Sequence, residues 1–171
     1  MSQVWRLLGD VDIHALCEAV LAAPDSWWWE DQTRQHGTGV AKESQSIRLP
    51  DSHSLSWQRW SAVVHPVLEN IKDRWYPTSR YGKIVLSRLL PHTRIALHVD
   101  REPDQDTLHR VHVPVTTNDA ALVVFTQPVL TRCHCVPGHA YEIASERPHL
   151  AFNQGQTPRV HLVADYHHAD Q

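Results

Sequence analysis

Hydrophobic and polar positions divide the chain into two regions of different periodicity. Before about residue 80, apolar residues recur at helical spacing. A first helix, capped by Asp10 or Asp12, is expected to end near Ala23. Its apolar face comprises Ile13, Leu16, Cys17 and Val20. A second helix is expected from about Leu55 to Trp75, kinked or split at Pro66.

Beyond Tyr81, short runs rich in Val, Ile and Leu alternate with turn residues, which is typical of antiparallel strands. The runs are residues 83–90, 94–99, 109–115, 121–125, 129–136, 140–143, 149–153 and 159–166. Short strands at this spacing predict a sandwich or barrel. We expect a mainly β fold in one domain, residues 1–171, with a helical support region (1–80) and a barrel core (81–166).

One predicted strand carries charge on one of its two faces. Val111, Val113 and Val115 share one face, and Arg110 and His112 share the other. The pattern Arg-x-His recurs in the barrel region, at Arg110/His112, Arg132/His134, Arg147/His149 and Arg159/His161. Such a face can be solvated, or it can line a polar cavity inside a barrel. The recurrence favours a cavity for an anion and a metal.

Composition excludes several functional classes. The net charge is −3 and the basic residues are scattered, so no nucleic-acid footprint is expected. No window approaches the ~18 apolar residues that a membrane span needs. With an odd number of cysteines, three, and no signal peptide apparent, a reducing cytoplasm is the expected location. The 14 histidines stand out, because histidine is the commonest metal ligand.

Four residues combine into a candidate metal site. His98-x-Asp100 ends a predicted strand, His149 opens another, and Arg159 opens the next. Two histidines and one carboxylate on one face of Fe(II) leave positions for a bidentate 2-oxo acid and O2. An arginine nearby would hold the distal carboxylate of that acid through charge-assisted hydrogen bonds.

The segments SRLLPHTRIALHVDREPDQDTLHRVHVPVTTN and RPHLAFNQGQTPRVHLVADY resemble the aspartyl/asparaginyl β-hydroxylase family of 2-oxoglutarate-dependent dioxygenases, over about Ile84 to Tyr166. The resemblance implies a double-stranded β-helix, a jelly-roll of the cupin type. It also implies that His98, Asp100 and His149 bind iron.

The same resemblance implies roles for four further residues. Arg159, with Ser87 as hydroxyl partner, would grip the far carboxylate of 2-oxoglutarate. His112 would lie beside the near carboxylate, and Arg110 would help to hold the 2-oxo acid or a substrate carboxylate.

The chain resembles the small bacterial members, some of which hydroxylate free amino acids such as proline. Animal members of the endoplasmic reticulum carry Gly where this chain has Asp100. The expected substrate is an amino acid, free or within a peptide, whose carboxylate would match Arg110 or Arg132. His134 shares the strand face of Arg132 and is a further candidate for substrate contact.

Three other motifs have a structural interpretation. On a strand, Cys133 and Cys135 would face one way, as buried apolar residues rather than zinc ligands. The run Trp27–Trp29 is interpreted as a core anchor, with a substrate lid as the alternative. A second His-x-Asp, at residues 168–170, is expected to be a frayed tail.

Two other functions remain open. A barrel that binds a metal and an organic acid could be a sensor or accessory module without catalysis. A cupin-like metal enzyme that needs no 2-oxoglutarate is the third hypothesis. Arg159 argues against it, because such an enzyme has no co-substrate carboxylate to hold.

Overall fold

The computed structural model describes residues 3–29, 44–49, 55–100 and 108–168. Its helices are α1 (His14–Ala22), α2 (Asp25–Trp29) and α3 (Leu55–Trp75). Its strands are β1 (Trp5–Asp10), β2 (Ser44–Arg48), β3 (Ser79–Leu89), β4 (Thr93–His98), β5 (Leu108–Thr116), β6 (Ala121–Phe125), β7 (Thr131–Cys133), β8 (His139–Ile143), β9 (His149–Asn153) and β10 (Arg159–His168).

The strands form two antiparallel sheets. The major sheet has the order β1-β8-β5-β10-β3-β2, and the minor sheet has the order β4-β9-β6-β7. Neighbouring strands are mostly distant in sequence, as in a jelly-roll in which the chain crosses between two sheets. The expected double-stranded β-helix is therefore confirmed.

Alternating hydrophobicity predicted the barrel strands, and each of the eight runs forms one of β3 to β10. Helix α3 has the expected bounds, and Pro66 lies inside it without ending it. Helix α1 begins at His14, whose backbone N–H donates to Asp12 Oδ1 (2.9 Å). None of the described helices is long and apolar enough to cross a membrane.

The region predicted as helical support, residues 1–80, also contributes strands β1 and β2 to the major sheet. Both are edge strands of five or six residues, and their pairing partners come from the barrel region. A short edge strand depends on the neighbouring strand for its conformation, so its own sequence carries little periodic signal.

The main hydrophobic core lies between the helices and the outer face of the major sheet. Val64, Leu68 and Ile71 of α3 belong to the same buried cluster as Val111 and Leu162 of the sheet. The helices therefore cover the apolar face of β5 and β10, and the opposite face of these strands points towards the minor sheet.

That inner face is polar and buried on β5 and β10, so it is not a solvated face there, and a cavity for an anion and a metal stays a prediction. Arg110 is 3% exposed and Arg159 is 4% exposed. His161 is also buried on the same face of β10. Because burying charge is costly without partners, this face must be organised by hydrogen bonds and ion pairs.

The tryptophans of α2 support the core-anchor interpretation. Trp28 is buried with its ring 6.0 Å from Trp60 of α3, and the Trp27 ring meets Trp60 edge-on at 5.9 Å. The Trp29 side chain lies outside the described part of the structure. Trp27 and Trp28 thus join α2 to α3, and tilted or edge-on aromatic pairs of this kind favour packing.

A matched pair of leucine substitutions tests this core. Leu68 of α3 is fully buried, whereas Leu21 of α1 is 72% exposed. We expect Leu68→Ala to lower the free energy of unfolding by about 2–5 kcal/mol through lost burial and cavity formation. Leu21→Ala should change it by no more than about 0.5 kcal/mol. Urea denaturation measures both, and similar losses in the two variants would contradict the packing described.

Candidate metal centre

The sheet register brings the predicted ligands together. His98 at the end of β4 is paired directly with His149 at the start of β9. Two residues beyond His98, the backbone N–H of Asp100 donates to Ser145 O (3.0 Å), which holds this segment beside β9. The potential ligand atoms of the three side chains all lie within 4.8 Å of one another.

Main-chain hydrogen bonds set the tautomer of both imidazoles. His98 Nδ1 lies 2.7 Å from Ala96 O, and His149 Nδ1 lies 2.9 Å from Arg147 O. A carbonyl oxygen can only accept, so each Nδ1 carries the proton and each neutral ring has its lone pair on Nε2. These Nε2 atoms face Asp100, at 3.6 Å from Oδ1 for His98 and 3.8 Å from Oδ2 for His149.

The electrostatics also suit a metal ligand. Burial lowers the pKa of His149 below its ordinary value, with further lowering from His98. His149 is therefore neutral at neutral pH, and a metal ion need not displace a proton from it.

The donor set fits an open divalent site. It combines two imidazole nitrogens with one carboxylate, and among the described residues no fourth histidine, cysteine or acid joins the group. A structural zinc site has four protein ligands, whereas three ligands leave positions for small molecules. Two histidines and a carboxylate are the set that non-haem Fe(II) oxygenases use.

An arginine links the candidate ligand Asp100 to the major sheet. Arg110 of β5 donates through Nε and Nη2 to Asp165 of β10 (2.7 and 2.6 Å), and through Nη1 to Asp100 Oδ2. We predicted that Arg110 holds a 2-oxo acid or a substrate carboxylate, which stays a prediction. The bonds in the structure run to two carboxylates of the protein.

A second buried cation, Arg159 of β10, lies on the same inner face of the major sheet. Arg159 Nη2 donates to His161 Nδ1 (2.7 Å), and His161 Nδ1 is 3.5 Å from His112 Nδ1. Burial lowers the pKa of Arg159 to about 10, so it remains a cation at neutral pH. Within the described ranges no carboxylate forms an ion pair with it. A buried cation of this kind is suited to binding an anion.

Both histidines beside Arg159 are neutral. Burial is the largest cause that lowers the pKa of His112 and of His161, and the charge of Arg159 lowers both further. The charges of Arg110 and His149 also lower the pKa of His112. The predicted partner Ser87 is the cross-strand neighbour of His161 in the pairing of β3 with β10, so both side chains lie on the same face of the sheet.

Sequence reasoning assigned no role to His161 or Asp165. His161 belongs to an Arg-x-His pair that was recognised, but the pattern could not show that its Nδ1 accepts from the neighbouring arginine. The sequence does carry a signal for Asp165, because this acidic residue lies in a strand that otherwise contains Val, Leu, Ala and Tyr. A charge that is buried in such a strand needs a partner.

Arg132 and His134 do not join this group. Both side chains are exposed. The alternating residues Cys133 and Cys135 are buried instead, and their sulfur atoms are 3.2 Å apart. The expectation of buried, free cysteines is confirmed. A substrate role for Arg132 and His134 stays a prediction.

The C-terminal His-x-Asp motif differs from expectation. His168 is not in a frayed tail but ends β10, with its Nε2 2.9 Å from Nε2 of His109 on β5. Pairing with the neighbouring strand orders the chain as far as this residue. Asp170 lies outside the described residues.

Solved structures share this fold. A Pseudomonas putida prolyl-4-hydroxylase aligns over 99% of this chain and 95% of its own, with a TM-score of 0.59 and 14% identity. The viral collagen prolyl hydroxylase of Paramecium bursaria Chlorella virus-1, in complex with 2-oxoglutarate, aligns over 99% and 98% (TM-score 0.60, 9% identity).

SnoK, a non-haem α-ketoglutarate-dependent carbocyclase from nogalamycin biosynthesis, aligns over 98% of this chain and 81% of its own (TM-score 0.62, 14% identity). No protein-family model matches the sequence, and no curated protein matches it. At these identities the likeness establishes the fold, and the site has to be argued from its own residues.

Replacing one histidine tests the metal centre. We expect His149→Ala to weaken binding of Co(II), used as an oxygen-stable probe, by more than the roughly 10–100-fold that loss of an outer-shell partner costs. His65→Ala is the matched control, because His65 lies on helix α3 with Glu69 as its neighbour. Titration by visible absorption measures both affinities, and equal affinities in the two variants would exclude His149 as a ligand.

Proposed function

We propose that this chain is an Fe(II)- and 2-oxoglutarate-dependent dioxygenase that hydroxylates an unactivated C–H bond of an amino acid, free or within a peptide. The observation that carries the proposal is that an open triad and a buried arginine both lie on the inner side of the major sheet, and we propose that they share one cavity there. The triad is His98, Asp100 and His149, and the arginine is Arg159.

The proposal requires two kinds of recognition in that cavity. A metal ion needs imidazole nitrogens and a carboxylate, and the triad offers them. A dicarboxylic 2-oxo acid would chelate this metal through its 2-oxo group and the adjacent carboxylate. Its second carboxylate would not touch the metal and would need a cation of the protein as its partner. Arg159 supplies a planar cation whose donors match a carboxylate. A cupin-like enzyme without a 2-oxo acid would have no use for this cation.

The protein's own residues bind and orient the reactants. Arg159, with Ser87 beside it, would bind the far carboxylate of 2-oxoglutarate, and neutral His112 would lie near the other carboxylate. Bound iron would supply oxygen activation, coupled to decarboxylation of 2-oxoglutarate to succinate. The buried wall of β5 and β10 would exclude bulk water from this reaction.

The assignment of a family and of a substrate class rests on the sequence. We propose a small member of the aspartyl/asparaginyl β-hydroxylase type, because the motifs between Ile84 and Tyr166 resemble that family. An amino acid substrate is also consistent with the prolyl hydroxylases among the similar structures. Arg110, Arg132 and His134 remain candidates for its carboxylate. We further propose one catalytic domain, with residues 81–166 as its core, in the cytoplasm, where the free thiols stay reduced.

Two measurements test the activity. Under anaerobic conditions, Fe(II) and 2-oxoglutarate should produce the weak visible metal-to-ligand band of a chelated 2-oxo acid. After oxygen is admitted with a panel of amino acids and peptides, at least one should stimulate succinate release and gain the mass of one oxygen atom. The band without stimulated succinate release across the panel would favour the sensor hypothesis.

Arg159 gives the second test of this proposal. Arg159→Ala should weaken 2-oxoglutarate binding by roughly 2–4 kcal/mol, because the far carboxylate loses its desolvated charge partner. Arg94→Gln is the control, since Arg94 is an exposed arginine of the minor sheet. Anaerobic titration of the visible band measures both affinities. An unchanged affinity in Arg159→Ala would contradict the assignment.

A further inference from the structure

We propose that Arg110 and Asp165 form a positioning pair for the carboxylate ligand. Asp165 does not belong to the triad, but it acts on Asp100 through Arg110 and thereby sets the affinity of the site for a divalent metal. The inference rests on the part of the proposed function that places a metal at the triad. It does not depend on the identity of the substrate.

The geometry of the pair is that of a fixed fork. Asp165 and Arg110 are direct cross-strand partners on β10 and β5, and both side chains are almost fully buried, at 1% and 3% exposure. Nε and Nη2 of Arg110 donate to the two oxygens of Asp165. This bidentate contact fixes the plane of the guanidinium, so that the remaining nitrogen, Nη1, is aimed at Asp100 Oδ2.

Asp100 needs such support more than the two histidines do. Each histidine lies within a strand and has its Nδ1 bonded to a backbone carbonyl. Asp100 lies beyond the end of β4, and its side chain is 24% exposed. Arg110 donates to Oδ2, which is also 3.8 Å from His149 Nε2, and this leaves Oδ1, 3.6 Å from His98 Nε2, as the oxygen available to a metal.

The charges explain why a second acid is required. Without Asp165, the charge of Arg110 would cancel that of Asp100. The divalent metal would then lie beside a group with no net negative charge. With Asp165 included, two carboxylates and one guanidinium leave one net negative charge. The site therefore keeps its attraction for a divalent metal while Arg110 still orients the ligand.

A purely structural ion pair would behave differently from a positioning pair. If Arg110 and Asp165 served only to join β5 to β10, their loss would lower stability and leave the metal affinity of the folded protein unchanged. If Arg110 served instead as the anchor of a co-substrate carboxylate, its disturbance would weaken 2-oxoglutarate binding at saturating metal.

The first experiment removes the charge of Asp165 and keeps its shape. Asp165→Asn should weaken Co(II) binding about 10–100-fold, as loss of outer-shell partners does, and should alter the visible spectrum of the bound Co(II). Affinity for 2-oxoglutarate at saturating metal should stay as in the wild type. Glu142→Gln is the matched control, because it removes the acidic partner of Arg6 from the same sheet without touching the triad.

A double-substitution cycle then decides whether the effect passes through Asp100. In the Asp100→Ala background, where two histidines still bind Co(II) weakly, adding Asp165→Asn should cause no further loss of affinity. An equal loss in both backgrounds would overturn the proposal, since Asp165 would then act by general electrostatics or by folding.

Two further outcomes are informative. Unchanged Co(II) affinity in folded Asp165→Asn, with or without weaker 2-oxoglutarate binding, also overturns the proposal.

Should Asp165→Asn not fold, Arg110→Lys replaces it, because lysine keeps the charge but cannot bond to both acids as a fork. The same loss of Co(II) affinity, dependent on Asp100, is then expected. Failure of succinate release with intact metal binding would contradict the proposed function and leave this pair unaffected.

Discussion

The cost of burying charge governs the inner face of the major sheet. Two arginines, a histidine and an aspartate lie there almost out of contact with water, and each has a hydrogen-bonding neighbour that offsets the cost of burial. Arg110 is compensated by Asp165 and Asp100, whereas Arg159 meets a neutral imidazole. These two cations therefore differ, because Arg110 is neutralised by acids of the protein and Arg159 is not, among the described residues.

The helices make this arrangement possible. They cover the outer face of β5 and β10 with an apolar core, and a second apolar cluster joins the two sheets through Leu89, Phe125 and Tyr141. Tyr166 joins β10 to this core. Its ring belongs to the apolar cluster, and its hydroxyl donates to the backbone carbonyl of Leu68 on α3 (3.1 Å). The inner face of β5 and β10 is thereby left available for polar groups.

Sequence could predict those features that depend on local pattern. Alternation within each run gave strands β3 to β10, and the spacing of His98, Asp100, His149 and Arg159 pointed to the site. Strands β1 and β2 could not be predicted in this way, because their conformation comes from pairing with residues distant in the chain.

The contact between Asp165 and Arg110 could not be predicted from the local sequence either. The two residues lie 55 positions apart, and only the register of β5 with β10 brings them together. His168 was likewise assigned to a tail because its neighbour His109 is 59 residues away. Local sequence patterns therefore identified the three residues that the fold brings together, and the contacts that support these candidate ligands came only from the fold.

The two imidazoles are oriented by main-chain carbonyls two residues before them, at Ala96 and Arg147. Any side chain at those two positions offers the same carbonyl, so ring orientation is independent of the residues that line the pocket. Substitutions around the cavity can accordingly change its shape and polarity while the histidine geometry persists. A scaffold of this kind allows new substrates to be accommodated by altering the lining alone.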